Sequence, residues 1–405
     1  MRQTARIIST YSADTFGVCS ALFELGGMTV MHDASGCNST YTTHDEPRWY
    51  DMDSMVYISG LSEMEAIMGD DQKLIDDIVD AAMDLKPAFI AVAGTPIPTM
   101  TGFDFESIAY MIEDQTGIPS FGFSTTGMNT YVHGASMALE AYARRFVKKD
   151  VVKTEHLSAN ILGLTPLDFS VNGTDASIAD FLEKAGFEVI SKWAMGSTKE
   201  ELANAGMARV NLVVSAVGLG VAKALKEMFG TPYVIGVPMG EKYSEQLAKE
   251  LCDVAKESTE STIGKNMLQK NVASELEKNY RENSDENDKN RSDGNIVIVG
   301  EGITSLSLAK AIELETGRNT KVIYATECDP RILRSQDVTA IDEESIEEAL
   351  VGADIMIADP LYQPICPECT RFVALPTEAF SGRIYRDEIP NLVTEFNQFL
   401  KEVCA

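Results

Sequence analysis

The chain has 405 residues, 44% hydrophobic and 8% aromatic, the composition of a folded protein with two or three cores rather than one. No apolar run approaches the roughly 18–20 residues that span a bilayer, and the amino terminus MRQTARIISTYS lacks the features of a secretory signal, so the expected location is the cytoplasm. With 62 acidic against 34 basic residues the net charge is −28, which disfavours a nucleic-acid partner, and seven irregularly spaced cysteines read as reduced thiols rather than a disulfide framework.

Taken in order, Ser12 to Gly26 reads as a helix capped by Ser12 or Asp14 and carrying Cys19. Thr29-Val30-Met31 reads as a short buried strand, and His32-Asp33-Ala34-Ser35-Gly36-Cys37 as a tight polar turn that presents a thiol from the strand end. Met55 to Ser59, Ala88 to Ala93 and Ser120 to Phe123 are further strands. Met64 to Leu85, Phe105 to Gln115 and Tyr131 to Val147 are helical, and Gly94 to Pro98 forces an irregular turn. This alternation, over residues 1–150, predicts a mostly parallel sheet with helices on both faces.

A second block, 151–245, repeats the scheme with strands at Ala159 to Leu164, Phe187 to Ser191, Val210 to Ser215 and Tyr233 to Val237. Ligands of such sheets lie beyond the carboxyl ends of the strands, which nominates Thr165-Pro166, Ser215-Ala216 and Pro238-Met239-Gly240. Residues 246–293 read as a helical, charged connector, ending in the apolar-free stretch Arg281 to Gly294. A third block, 294–405, opens with the strand Asn295 to Val299, the turn Gly300-Glu-Gly302-Ile-Thr-Ser305 and a helix through Leu314. That turn has the form of a dinucleotide fingerprint with its last Gly replaced by Ser305, and it reads as a tight βα turn without nucleotide. The fold expected is α/β: three doubly wound, Rossmann-like domains with mostly parallel sheets around a central cleft.

For chemistry, Cys19 and Cys37 are two soft ligands on adjacent elements, a pattern that suits an iron–sulfur cluster; a helix cysteine at an apolar position also reads as core. Cys366-Pro-Glu-Cys369 has no second CxxC to complete a zinc site and reads as incidental. Cys328 follows the strand Lys321 to Thr326 and faces a possible cleft, whereas Cys252 and Cys404 read as structural. His32, His44, His133 and His156 make no hydrolytic triad, and neither HExxH nor GxxxxGK[ST] is present, so the chain itself reads as neither a zinc protease nor an ATPase.

The order helix Cys19, His32 to Cys37, Glu65-Ala-Ile-Met-Gly69 to Leu74, strand Phe89 to Ala93 and Thr101-Gly-Phe-Asp104 resembles the nitrogenase component 1 family. Met195 to Glu201, Val237 to Gly240, Asp359 to Pro364 and Phe380 to Arg383 are similar to its second and third domains, so the resemblance covers nearly the whole chain. It implies an oxidoreductase component that accepts low-potential electrons from a separate ATP-dependent iron–sulfur reductase and passes them to a small-molecule substrate. A third cysteine usual in the family is replaced by the segment Thr95 to Thr99. The resemblance therefore implies a [4Fe–4S] cluster shared across a dimer, held by Cys19 and Cys37 of each protomer, with Asp33 able to replace a thiolate and His32 and Ser35 beside it. The second protomer would be an identical chain or a related one. Substrate contacts are expected from Thr95, Ser124-Thr125-Thr126, Gly300 to Ser305 and Cys328. The pair that holds a further metallocofactor in true nitrogenase has no evident equivalent in Cys328 or Cys366. The alternatives are a scaffold for metal-cofactor assembly and a cluster-free binding or regulatory relative.

Overall fold

The computed structural model describes residues 12–36, 38–39, 41, 45–263 and 295–405. Its architecture is three parallel sheets with helices packed against them, and every strand pair among the described residues is parallel. The first sheet has β1 (Met28–Met31), β2 (Met55–Ile58), β3 (Ile90–Ala93) and β4 (Ser120–Phe123) in the order β2-β1-β3-β4. The second has β5 (Ser158–Leu162), β6 (Glu188–Trp193), β7 (Val210–Val213) and β8 (Tyr233–Ile235) in the order β6-β5-β7-β8. In the third, β9 (Ile296–Gly300), β10 (Thr320–Tyr324), β11 (Val338–Thr339), β12 (Ile355–Ala358) and β13 (Arg371–Ala374) run β11-β10-β9-β12-β13. The inner strands β1, β3 and β12 are buried along their whole length, as their largely apolar runs MTVM, IAVA and IMIA require of strands covered on both faces.

In each sheet the strand order reverses once: between β1 and β3, between β5 and β7, and between β9 and β12. Chain leaving adjacent strands at such a point departs in opposite directions and opens a crevice at the carboxyl edge. Three crevices are thus fixed by topology before any side chain is considered.

The sheets are joined by a shared interior. One continuous cluster of buried apolar residues includes Leu22, Phe89 and Tyr142 beside the first sheet, Ile161 and Leu212 in the second, and Ile298 and Ile357 in the third. The helix Tyr131–Phe146 packs against both Asp14–Leu22 and Gly218–Phe229. Its contact with the first of these is close: a Cβ on Gly17 would lie 2.1 Å from the Tyr131 carbonyl oxygen, and one on Gly134 1.9 Å from that of Asp14. Polar links complete the assembly. Ala216 N–H donates to Glu301 at 2.8 Å, Ser12 N–H to the Ala379 carbonyl at 3.1 Å, and Thr130 N–H to Glu327 at 3.0 Å.

Several expected elements change in detail. The amino-terminal helix spans Asp14–Leu22 with Ala13 at its cap and no side-chain cap, because the Asp14 carboxylate instead accepts from the N–H groups of Thr15, Thr126 and Gly127 and from Asn129. The helix expected over 64–85 is two, Glu63–Met68 and Asp71–Leu85, because Gly69 enters the left-handed region at φ 65°. Gly94 to Pro98 leads into a short helix, Pro96–Thr101, with proline in its first turn. The helix Glu241–Ile263 enters the expected connector; the segment 264–294, which holds the rest of that connector, lies outside the described residues.

Candidate functional site

All three crevices hold chemistry-bearing side chains, and the first is at the end of β1. The His32 N–H donates to the Ala93 carbonyl at 3.0 Å, and the Thr95 hydroxyl donates to the His32 carbonyl at 2.8 Å, which ties β1 to β3 across the crevice. His32 Nδ1 lies 2.9 Å from the Ser59 hydroxyl, and its ring sits 4.5 Å from that of Phe103. Desolvation in this apolar setting lowers its pKa to about 4, so the imidazole is neutral. Asp33 accepts from Ala34 N–H at 2.8 Å and from Asn38 Nδ2 at 2.9 Å, which holds the turn shut. Ser35 and Gly36 form an exposed tip. Cys37 and His44 lie outside the described residues.

Cys19 is fully buried, in a small cluster with Phe23, Met31, Tyr41 and Val56. Burial pushes its thiol pKa far up, and the neighbouring Glu46 carboxylate pushes the same way. Glu46 is itself buried, accepting from Tyr41 Oη at 3.0 Å and Arg48 Nε at 2.6 Å; Arg48 also reaches Glu24 at 2.9 Å and the Ser20 carbonyl at 2.8 Å. The fit to a cluster can be judged on these donors. Among the described residues no group of three or more His, Cys, Asp or Glu side chains could hold a metal ion. The Cys19 thiol is sheathed and Asp33 is engaged, so the described donors of one chain do not form a cage.

The other two crevices face each other. Between them lies a cavity of about 70 Å³, walled by the carboxyl ends of the second and third sheets and by Tyr131 at the start of its helix. Asp168 enters from the turn after β5, where Thr165 caps the short helix Pro166–Phe169 and donates its hydroxyl to Asp168 Oδ2 at 2.8 Å. Tyr131 Oη donates to Asp168 Oδ1. Glu301, the cap of the helix Gly302–Thr316, accepts from the N–H groups of Ile303 and Thr304 as well as from Ala216. Asp359, after β12, accepts from Leu361 and Thr377 N–H. Burial and the Glu301 charge raise the Asp168 pKa to about 7, and burial raises that of Asp359. Thr377 is among the lining residues, and its hydroxyl is buried with no hydrogen-bond partner among the described residues. Among the described residues no cysteine or histidine lines the cavity.

The residues expected at a site divide accordingly. Gly300 to Ser305 contributes Gly300, Glu301, Thr304 and Ser305 to the cavity wall, and Met239 lines it too. Thr95 and Thr125 are buried pins, the latter donating to the Gly94 carbonyl at 2.8 Å; Ser124 is exposed, and Thr126 holds the Asp14 carboxylate. Cys328 is half-buried behind Gly302, its Sγ 3.7 Å from where a Cβ on that glycine would stand. Cys366 and Cys369 are free thiols, as are Cys252 and Cys404, and the Cys366 thiol points to the Thr370 carbonyl at 3.5 Å. Tyr131, Asp168 and Thr377 went unnoticed in the sequence. A signal did exist for Asp168: Thr165-Pro-Leu-Asp168 directly after a strand is a capping pattern at a carboxyl edge.

The family model described as "Nitrogenase component 1 type Oxidoreductase" matches residues 15–356. The nitrogenase iron-molybdenum cofactor biosynthesis protein NifE of Clostridium pasteurianum is 26% identical over 181 residues, 44% of this chain and 38% of that protein. A light-independent protochlorophyllide reductase polypeptide of Prosthecochloris aestuarii is 34% identical over 111 residues, 26% of this chain and 20% of its own length. The nitrogenase molybdenum-iron protein alpha chain of C. pasteurianum is 26% identical over 185 residues, 44% of this chain and 33% of the relative. These matches thus span less than half of each curated relative. A solved structure titled "Nitrogenase Cp1 at pH 6.5" superposes with a TM-score of 0.66 at 16% identity, covering 100% of this chain and 95% of that one.

Proposed function

The chain belongs to the nitrogenase component 1 type oxidoreductases, and from that premise we propose that it is the substrate-binding component of a two-component reductase acting on a small organic molecule. The observation that carries this reading is the cavity where the second and third sheets meet. It offers carboxyl, hydroxyl and apolar groups to a ligand, and among the described residues no thiol or imidazole lines it. A scaffold for a metallocofactor, the role named for the NifE relatives, needs soft or imidazole donors to hold its cargo. An organic substrate, as named for the protochlorophyllide reductase relative, needs shape, apolar wall and a few placed polar groups.

In this reading a separate ATP-dependent iron–sulfur protein delivers electrons, and the chain works as a dimer with a second copy or a related chain. Cys19 and Cys37 from both protomers would hold a [4Fe–4S] cluster at the shared face, with Asp33 as an alternative oxygen ligand. Such a group supplies one-electron storage at low potential. Because the described donors of one chain do not form a cage, its binding has to part the Cys19 thiol from the Tyr41 side of its cluster. Among the described residues no helix is long and apolar enough to cross a membrane, and the reducing cytoplasm is the proposed location.

Within the cavity, the chain's own residues have defined tasks. Asp168 can hold a proton near neutral pH, Tyr131 and Thr165 orient it, and the apolar wall excludes water. Anaerobic purification with iron, sulfide and mass analysis tests the assembly. Iron that disappears in Cys19→Ala and Cys37→Ala, with folding intact, supports the shared cluster. Iron-free protein from anaerobic cells removes it. ATP-dependent electron transfer from an iron–sulfur reductase into the purified protein, followed by electron paramagnetic resonance, separates reductase from scaffold.

A further inference from the structure

The cavity between the second and third sheets carries a charge signature as well as a shape. Among the described residues three carboxyl residues, Asp168, Glu301 and Asp359, stand in its wall, and no lysine, arginine or histidine does. Much of the remaining wall is apolar, including Phe169, Val237, Leu308 and Phe380. An anionic ligand there would meet uncompensated repulsion in a poorly solvated space, whereas a cation would offset it.

The three carboxyls are not equivalent. Both oxygens of Glu301 are occupied by N–H groups, Oε1 by Ala216 and Oε2 by Ile303 and Thr304. Asp359 is likewise held by Leu361 and Thr377 N–H. Asp168 accepts only from hydroxyls, those of Tyr131 and Thr165, with Ser215 also close, and hydroxyls can turn to other acceptors. Asp168 also keeps part of its surface open, and it is a wall residue of the cavity. Thr377 belongs to the same wall, and its hydroxyl is buried with no hydrogen-bond partner among the described residues.

We propose that this cavity binds a small organic cation, a protonated amine on a compact apolar body, with its ammonium group on Asp168 and its body against Phe169, Val237 and Leu308. The proposal rests on the reading of the cavity as the substrate site, and it narrows the substrate to an amine rather than a carboxylate or phosphate. An inorganic cation would satisfy the charge and leave the apolar wall uncovered. The overall charge of −28 favours the approach of such a ligand.

The groups facing Asp168 set the pH behaviour. They are Tyr131 from the helix Tyr131–Phe146, Thr165 from its own turn, Ser215 after β7 and Glu301 after β9; Glu327 acts on Tyr131 from farther out. Tyr131 is held well above the usual phenol range, so it does not titrate near neutrality. Binding an ammonium therefore displaces the proton of Asp168 and strengthens as the pH rises through about 7.

The test titrates the full chain with isobutylamine, isobutanol and isobutyrate at constant ionic strength, followed by ligand-observed NMR. The amine is expected to bind roughly tenfold or more tightly than the alcohol, isobutyrate and potassium ions are expected not to compete, and Asp168→Asn is expected to abolish the amine's advantage while leaving the alcohol unchanged. A second measurement needs no variant: lowering the pH from about 8 to about 5 should shrink the amine's advantage in the wild-type chain. Equal binding of amine and alcohol, preference for isobutyrate, or an advantage that survives Asp168→Asn or acid overturns the cation. Leu308→Trp, which fills the cavity, separates the two levels of failure. If all three compounds bind alike and Leu308→Trp blocks them, the cavity remains a ligand site and only the charge assignment falls. If none binds, or binding ignores Leu308→Trp, the substrate-site reading falls with it.

Discussion

The crevice at the end of the first sheet and the cavity between the other two arise from the same reversal of strand order, and they end in opposite states. At β1 and β3 the polar groups close on one another: Thr95 on the His32 carbonyl, Thr15 and Thr125 on that of Gly94, and Asn38 on Asp33. His32 leans on Phe103, and Cys19 behind them is sheathed in aromatic and aliphatic side chains. At β5, β9 and β12 the backbone is equally well satisfied, yet Asp168 has only hydroxyl partners and Thr377 has none. Topology makes crevices; a crevice stays available for a ligand where its polar groups are left with partners they can exchange.

The comparison breaks most easily at Arg48. If the amino-terminal region is a closed, self-satisfied structure, removing the guanidinium that pairs Glu46 and Glu24 leaves a buried carboxylate with, among the described residues, only the Tyr41 hydroxyl and the Arg48 backbone N–H. Arg48→Met should then cost about 3 kcal/mol in urea unfolding, the low end for breaking a buried pair because two hydrogen-bond donors remain on Glu46. A loss below about 1 kcal/mol, the value of a surface pair, would show that water reaches Glu46 and that the region is not closed.

A smaller effect is expected where the two regions are mechanically joined. Gly17 sits under the Tyr131 carbonyl, so the helix carrying Cys19 and the helix presenting Tyr131 to the cavity cannot separate independently. Gly17→Val meets backbone at 2.1 Å and should cost about 3 kcal/mol. Gly36→Val, with nothing among the described residues within 4 Å, should shift the urea midpoint by an amount worth less than about 0.5 kcal/mol. Equal stability of the two variants would mean that the helices slide apart easily and that the cavity is not tied to the first region.

How far such features were readable from sequence depends on whether their cause is local. The parallel sheets were legible because strands covered on both faces are written as unbroken apolar runs. The last three strands were not recognised: Val338–Thr339 is two residues long, Ile355–Ala358 is an apolar run of four that fits helix or strand, and Arg371–Ala374 is an edge strand with exposed ends. The Gly300 to Ser305 turn was legible as a strand-to-helix junction. Its meeting with Asp168 was not, because no local pattern says that the second and third sheets present their carboxyl ends to each other. Cys19 illustrates the same limit. A cysteine on a helix reads equally as core or ligand, and the nearly complete burial of Asp14–Leu22 follows from glycine contacts with a helix more than a hundred residues later.

The finest test uses pH, because the two regions answer it with opposite signs in one window. His32 is neutral in the folded chain, its pKa lowered to about 4 by burial, while an unfolded chain binds a proton there below about 6.5. The unfolded state thus holds more protons at His32 between those values, so stability rises with pH. Asp168 is the reverse: its folded pKa is about 7 and its unfolded pKa about 3.9, so the folded state holds the extra proton and stability falls as pH rises across that span. Each slope is at most about 1.4 kcal/mol per pH unit, and the two largely cancel from about pH 4 to 6.5. Urea unfolding across that range should therefore be nearly flat at these two sites in the wild-type chain. Asp168→Asn should unmask a rise in stability with pH, and His32→Gln a fall. Both single variants leaving the pH profile unchanged would mean that His32 and Asp168 titrate as in water, and the contrast between a sealed crevice and a receptive cavity would lose its electrostatic basis.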